Sequence, residues 1–359
     1  MTEDGKKFKI LIIRLSAIGD TIHTLPMAYE LRKLYPDAQI DWVVEQKAKQ
    51  FVVNNPLLDN VFVVEKLCFK NFSKVETVIN KIRETVYDIA IDSQQLFKSG
   101  VFLHLVRAKR KIMLSGAREL SFIFANEIVK AKHNLFDPNY HVIYRNLELV
   151  SHLNGIEYKQ NYNPVFVLPD TSNEVKNKVE DLLKDIDNSK KTVVLSPFTT
   201  WQTKHFNDEF WANVILKFKD FVNIVITGTN NDLEHLDKIF KLTDDKNIEN
   251  SIINLCGKTN LMELTEVFKR SDIVVSLDSG SSQIAWAVQK PYIISIFTST
   301  SAKRTAPFGE KAKTFYPEIS CYPCHQKVCK QHNKNYELCK KSINCDEIMC
   351  EIEKQLNLL

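Results

Sequence analysis

Three short segments carry residue types that could act together on a polar, phosphorylated substrate. Leu15-Ser16-Ala17-Ile18-Gly19-Asp20 places a carboxylate, Asp20, where an apolar β-like run ends and a helical pattern begins. With a single glycine it fits neither G-x-G-x-x-G nor a P-loop, so it offers no dinucleotide or nucleoside triphosphate cradle. An ionised carboxylate there can take a proton from a hydroxyl, or it can simply cap free backbone N–H groups. Ser196–Phe206 (SPFTTWQTKHF) holds the hydroxyls of Thr199 and Thr200 and the ammonium of Lys204 in a second strand-to-helix loop. Such a loop can bind phosphate through hydrogen bonds and a point charge, unless the lysine is merely solvated. Ser276–Gln283 (SLDSGSSQ) repeats the layout, with Asp278, Ser279 and Gly280 ahead of helical N–H groups that favour an anion. Alone, it would read as an ordinary helix start.

All three need a strand before them and a helix after them, and the chain supplies both. Phe8–Arg14 is a buried β run and Thr21–Leu34 reads as a helix. Strands follow at Ile40–Glu45, Val61–Val64 and Tyr87–Asp92, with helices over Phe72–Val86 and Phe97–Val106. Two prolines in Asn161–Asp170 mark a linker, and a charged helix, Asn173–Lys184, comes next. The alternation then restarts with strands at Thr192–Ser196, Val222–Thr227, Ile252–Leu255, Ile273–Leu277 and Tyr292–Phe297. Helices are expected over Glu209–Lys219, Leu233–Leu242, Leu261–Lys269 and Ser282–Val288. Unbroken apolar strands between helices imply parallel sheets covered on both faces. The expected class is α/β, with two Rossmann-like domains facing a cleft. Their bounds are 1–165 and 166–344, and a last segment, 345–359, with a helix over Cys345–Leu356, is expected to cross back to the first domain. Ligands in such sheets bind at the carboxyl ends of strands, where the three motifs lie.

Composition agrees with this frame. The 359 residues suffice for about two domains, and 44% hydrophobic content is too high for a disordered chain. No apolar run approaches the ~18 residues of a membrane span, and the polar start MTEDGKK has no secretory signal, so a cytoplasmic protein is expected. The formal charge of +4 does not call for nucleic acid. Residues 1–170 hold 23 Lys/Arg against 19 Asp/Glu, so the whole excess lies in the first half, densest at Arg107, Lys109, Arg110 and Lys111. That half suits an anionic partner or lipid surface, or the cluster is a solvated loop.

Taken together, SAIGDTIHTLP, IDWVVE, YDIAIDSQQLFKSG, TTWQTKHF, CGKTNLMEL and SLDSGSSQIA resemble the ADP-heptose:lipopolysaccharide heptosyltransferases of glycosyltransferase family 9. The likeness covers nearly the whole chain, and two segments, IDWVVE and DSQQLFKSG, resemble the heptosyltransferase I branch most. The resemblance implies a GT-B fold and inverting transfer of heptose from ADP-heptose to a Kdo-containing inner-core acceptor, with no cofactor required. By motif position, Asp20 would be the general base, and Lys204 with Thr199 and Thr200 would neutralise the leaving diphosphate. Asp278, Ser279 and Gly280 would hold the heptose and phosphates, Asp232 the ribose, and Thr259 and Leu261 would border the adenine. The family's histidine after the D-[ST]-G turn is here Gln283, which can donate a hydrogen bond to phosphate but carries no charge. Ser16, Gly19, Arg118, His141 and Arg145 fall where the family binds the acceptor. Lys66 and Lys70 read better as solvated. The acceptor, a Kdo-lipid A or related anionic glycolipid, implies peripheral attachment, without insertion, to the cytoplasmic face of the inner membrane.

Cys321, Cys324, Cys329 and Cys339, with His325 and His332 nearby, suggest a zinc site, but their spacing is irregular. Reduced thiols without metal are the expectation, and Asp185-Ile186-Asp187 is read as a surface segment. Two competitors stay open: a related transferase with another nucleotide sugar or acceptor, and an inactive binding protein of the same fold.

Overall fold

Ile10, Leu11, Ile12 and Ile13 are all excluded from solvent, the burial expected of a strand covered on both faces. They belong to β1 (Lys9–Ile13) in the computed structural model, which describes residues 6–65, 72–159 and 161–358. β1 runs parallel to β2 (Gln39–Glu45) on one side and β4 (Tyr87–Asp92) on the other. With β3 (Asn60–Val64), β5 (Ala108–Leu114) and β6 (Glu127–Val129) they form a parallel sheet in the order β3-β2-β1-β4-β5-β6. A second parallel sheet contains β7 (Thr192–Ser196), β8 (Asn223–Ile226), β9 (Ile253–Asn254), β10 (Ile273–Leu277), β11 (Tyr292–Ile296) and β12 (Ala312–Phe315). Its order is β12-β11-β10-β7-β8-β9. Each sheet lies in its own unit, Met1–Asp170 and Thr171–Leu359.

The basic cluster is a strand, not a loop. β5 takes in Ala108–Leu114, with Ile112, Met113 and Leu114 buried and Lys109 and Arg110 exposed. Its cations meet local partners. Lys109 pairs with Asp88 at 2.8 Å, Arg110 forks onto Glu127 at 2.7 and 2.8 Å, and Lys111 Nζ donates to the His104 carbonyl at 2.6 Å. This cluster is therefore not a free anion-binding patch.

The expected helix Thr21–Leu34 is two helices, Ile18–Ile22 and Leu25–Leu34, with Pro26 in the first turn of the second. Proline fits a first turn, where its missing N–H has no partner to lose. A thirteen-residue helix, Val142–Asn154, is an addition to the reading. Val142–Val150 is buried on every face, so it lacks the apolar stripe by which a surface helix is recognised. Gly155, at φ 71°, ends it in the left-handed conformation. Lys66 and Lys70 lie outside the described residues.

The helix Cys345–Leu356 has the expected bounds but not the expected partner. Ile348, Ile352 and Leu356 join the core of the second unit, among Val193, Ile224 and Ile294. Tyr292 donates to Glu351 at 2.8 Å, and Lys217 pairs with Glu353 at 2.6 Å. Its apolar stripe, Ile348, Ile352 and Leu356, is taken up by the second unit's own core, which corrects the expected partner.

Candidate active site

In the first unit, the backbone turns sharply after β1 and brings Asp20 into the short helix Ile18–Ile22. One carboxylate oxygen, Oδ2, accepts the Ala17 N–H at 3.2 Å, and Oδ1 lies 3.1 Å from Arg14 Nη2. The two partners differ in exposure: the Arg14 side chain is 8% accessible, that of Asp20 42%. Arg14 is itself fixed, since Nη1 donates to the Ser93 carbonyl at 2.6 Å. The loop after β4 braces the same turn. Gln94 Oε1 accepts the N–H groups of Leu15 (2.7 Å) and Ser16 (3.3 Å). Lys98 Nζ donates to Ser16 Oγ at 3.0 Å and pairs with Glu45 at 2.6 Å. The result is an oriented, partly exposed carboxylate held by Arg14, a geometry in which a carboxylate can accept a proton.

Arg14, Gln94 and Lys98 were not singled out from the sequence. The available signal was a charge closing the apolar run Ile10–Ile13, and a lysine inside DSQQLFKSG.

In the second unit, the expected donor residues lie on loops following β7, β8, β9 and β10, adjacent strands of one sheet. Lys204 Nζ contacts Asp278 Oδ2 at 2.6 Å and stands 4.7 Å from the Trp201 ring centre. The Thr300 hydroxyl also donates to Asp278 Oδ2. Thr300, from the loop after β11, is a further site residue not read from the sequence. Ser279 caps the helix Gly280–Val288 without a side-chain bond, so the cap leaves the first-turn N–H groups to other acceptors. Thr199 and Thr200 follow β7. Asp232 Oδ2 accepts both the N–H and the hydroxyl of Thr229 at 2.7 Å, which holds its loop. That loop meets the turn before Thr259 and Leu261 closely: a Cβ on Gly257 would fall 1.7 Å from Asn230 Oδ1.

Gln283 is buried, and its Nε2 donates to the Thr305 carbonyl at 2.9 Å. The structure thus gives this amide an anchoring bond between the helix and the segment after β11.

The five acceptor candidates divide. Ser16, Gly19 and Arg118 are accessible. His141 and Arg145 are buried, which corrects the expectation that they reach a substrate directly. His141 caps the helix Val142–Asn154 by accepting the Ile143 N–H at 3.2 Å. Arg145 donates to the His133 carbonyl (2.7 Å), Gln95 Oε1 (2.9 Å) and the Ser115 carbonyl (3.2 Å). It ties three segments together.

Cys321, Cys324, Cys329 and Cys339 are free thiols lining one cavity of about 50 Å³, together with Thr203, Thr298 and Ser299. Burial pushes the Cys339 thiol up to about 11. Among the described residues no three His, Cys, Asp or Glu side chains are arranged to hold a metal ion. The segment also supports the Lys204 loop, because the Thr203 N–H donates to the Lys327 carbonyl at 3.3 Å. A separate cavity of about 790 Å³ opens at the amino ends of the first sheet's strands, beside Lys7, Arg32 and Asp59. Its Arg32 and Asp59 are already paired at 2.7 Å, away from every motif.

The chain is 24% identical over 362 residues to lipooligosaccharide heptosyltransferase 2 of Campylobacter jejuni, covering 98% of both. It is 25% identical over 305 residues to the core heptosyltransferase OpsX of Haemophilus influenzae, covering 84% of this chain and 82% of that one. Other relatives are named as heptosyltransferases 1 and 3, so no single branch stands out. The solved heptosyltransferase II of E. coli superposes with a TM-score of 0.77 at 18% identity, over 98% of this chain and 99% of that one. The GT-B heptosyltransferase fold is thereby shared. Residues 75–335 match the family described as Glycosyltransferase family 9 (heptosyltransferase), and the chain belongs to that family.

Proposed function

We propose that this glycosyltransferase moves heptose from ADP-heptose to a Kdo-bearing inner-core acceptor of lipopolysaccharide, with Asp20 as general base. The observation that carries the reading is the carboxylate of Asp20, held by Arg14 and the Ala17 N–H yet open to solvent. The relatives named as lipopolysaccharide heptosyltransferases support the sugar and the acceptor class. A solved relative, WaaC of E. coli, in complex with ADP-2-deoxy-2-fluoro heptose, supports the donor.

In this mechanism the acceptor O–H gives its proton to Asp20 as its oxygen bonds to the anomeric carbon. The bond from that carbon to the diphosphate breaks, its electron pair leaves with ADP, and the configuration inverts. Negative charge grows on the diphosphate, and Lys204, Thr199, Thr200 and the N–H groups following Ser279 oppose it. Donors fixed in advance stabilise that charge without reorganising. Asp278 holds the Lys204 ammonium in place until the diphosphate competes for it. Ser16, Gly19 and Arg118 meet the acceptor, and Arg145 braces the Arg118 backbone through Gln95. The enzyme works peripherally, at the cytoplasmic face of the inner membrane.

Labelled transfer from a panel of nucleotide sugars to Kdo-lipid A, read by mass spectrometry, tests the assignment. Heptose should be transferred in preference to the other sugars. Asp20→Asn should keep ADP affinity and lose at least ~10² in turnover, whereas Lys204→Met should weaken ADP binding and turnover together. Transfer of another sugar, or ADP binding with no transfer at all, would replace this reading.

A further inference from the structure

The first unit carries an apolar surface that the transfer chemistry does not use. Leu120 and Ile123 are 66% and 60% exposed, and Phe122, Phe97 and Phe136 are exposed beside them. The first three belong to the single turn Ser121–Phe124 and the residue before it, and Phe97 opens the helix Phe97–Leu105. Five large apolar side chains in one neighbourhood mark an interaction surface, where singly scattered ones would not.

This surface is built, not loose. The Phe124 ring packs against Phe97 at 5.5 Å and His104 at 5.6 Å, in space that a Cβ on Gly100 would fill, 2.4 Å from Phe124 Cδ2. The Phe97 N–H donates to the Glu119 carboxylate at 3.0 Å, and the Arg118 N–H to the Gln95 carbonyl at 3.1 Å. Glu119 and Leu120 both hold the left-handed conformation, at φ 55° and 58°, which non-glycine residues seldom occupy. The chain accepts that cost while keeping Leu120 in solvent.

Its border is cationic and continuous with the acceptor candidates. The Arg118 guanidinium lies over the Phe136 ring at 5.1 Å. Lys98, next to Phe97, reaches Ser16 while paired with Glu45. An apolar centre with basic residues at its edge matches the interface of an anionic bilayer, where acyl chains lie beneath charged headgroups.

We propose that the turn 118–124, with Phe97 and Phe136, is a membrane-docking face. It inserts Leu120, Phe122 and Ile123 at the headgroup–acyl boundary of an anionic bilayer and so brings a lipid-anchored acceptor to Ser16 and Asp20. The proposal rests on the lipid-linked acceptor assigned above. It replaces attachment by charge alone with attachment by insertion, at a different place from the internally paired Arg107–Lys111 cluster.

The test is co-sedimentation of the full chain and of the double variant Leu120→Glu, Ile123→Glu with phosphatidylcholine vesicles containing ~30 mol % phosphatidylglycerol. Both residues are exposed, so the variant should fold; its circular dichroism and its transfer to a soluble, deacylated Kdo acceptor should equal those of the wild type. The variant should bind vesicles at least ~10-fold more weakly. Wild-type binding should persist in part at ~0.5 M salt, because apolar insertion is not screened. Equal binding by the variant, no binding by the wild type, or complete loss in salt would overturn insertion. So would a wild-type dimer, seen by light scattering, that the variant abolishes, since the face would then serve a second copy. Vesicle binding as expected, without transfer to the soluble acceptor by the wild type, would leave the docking face standing and remove the acceptor assignment instead.

Discussion

Arg14 shows how much a single residue at a strand end can decide. Its guanidinium is buried against the Ser93 carbonyl on one side and faces Asp20 on the other. A cation held this way cannot swing toward solvent, so the carboxylate keeps one orientation without help from substrate. Arg14→Gln should lower kcat by ~10-fold or more, because a preorganised charge next to the base is lost. ADP affinity should stay unchanged, since the residues proposed to hold the donor are in the other unit. Arg14→Lys keeps the charge but not the fork, and should recover part of the loss. Isothermal calorimetry with ADP and initial rates on the three proteins would check this. A folded Arg14→Gln protein with wild-type kcat would limit Arg14 to packing.

At the scale of elements, the sequence was most legible where strand and helix periods were clean. β1, β4, β7 and β10 were read within a residue or two, as were the helices Leu233–Leu242 and Cys345–Leu356. The motif loops followed from them, because each comes directly after a readable strand. β5 escaped because Lys109, Arg110 and Lys111 hide its apolar half, and β6 because three residues give no period. The braces around Asp20 were illegible for another reason: the loop after β4 meets the loop after β1 only once the sheet forms. Asp92 organises that brace. It is fully buried and accepts the N–H groups of Gln94 (2.8 Å) and Gln95 (3.0 Å) and the Ser99 hydroxyl (2.8 Å). Burial outweighs these bonds and pushes its carboxyl up to about 6. A carboxyl raised above its unfolded value binds its proton more tightly when folded, so its contribution to stability is lost as pH rises from about 4 to about 6. Two pK units correspond to about 3 kcal/mol. Urea unfolding at both ends of that range should show Asp92→Asn gaining on the wild type by up to that amount toward neutral pH. A gap between the two proteins that does not vary with pH would mean Asp92 is not titrating there.

For the whole molecule, the decisive arrangement is that each unit has its own sheet and its own core, and the residues proposed to hold the nucleotide all belong to one of them. ADP binding should therefore stabilise the second unit by mass action, by about 2.7 kcal/mol when ADP is at 100 times its dissociation constant. The helix Cys345–Leu356 belongs to the same cooperative unit, because Ile348 and Ile352 are fully buried in its core. Ile352→Ala removes packed methyl groups with little room for collapse and should cost about 2–5 kcal/mol. The unfolding step that ADP raises should be the one that this substitution lowers, although Ile352 is remote in sequence from Lys204 and Asp278. Calorimetric scans of both proteins, with and without ADP, would compare the two shifts. If the substitution lowers a transition that ADP leaves in place, the last helix does not share the nucleotide unit's core.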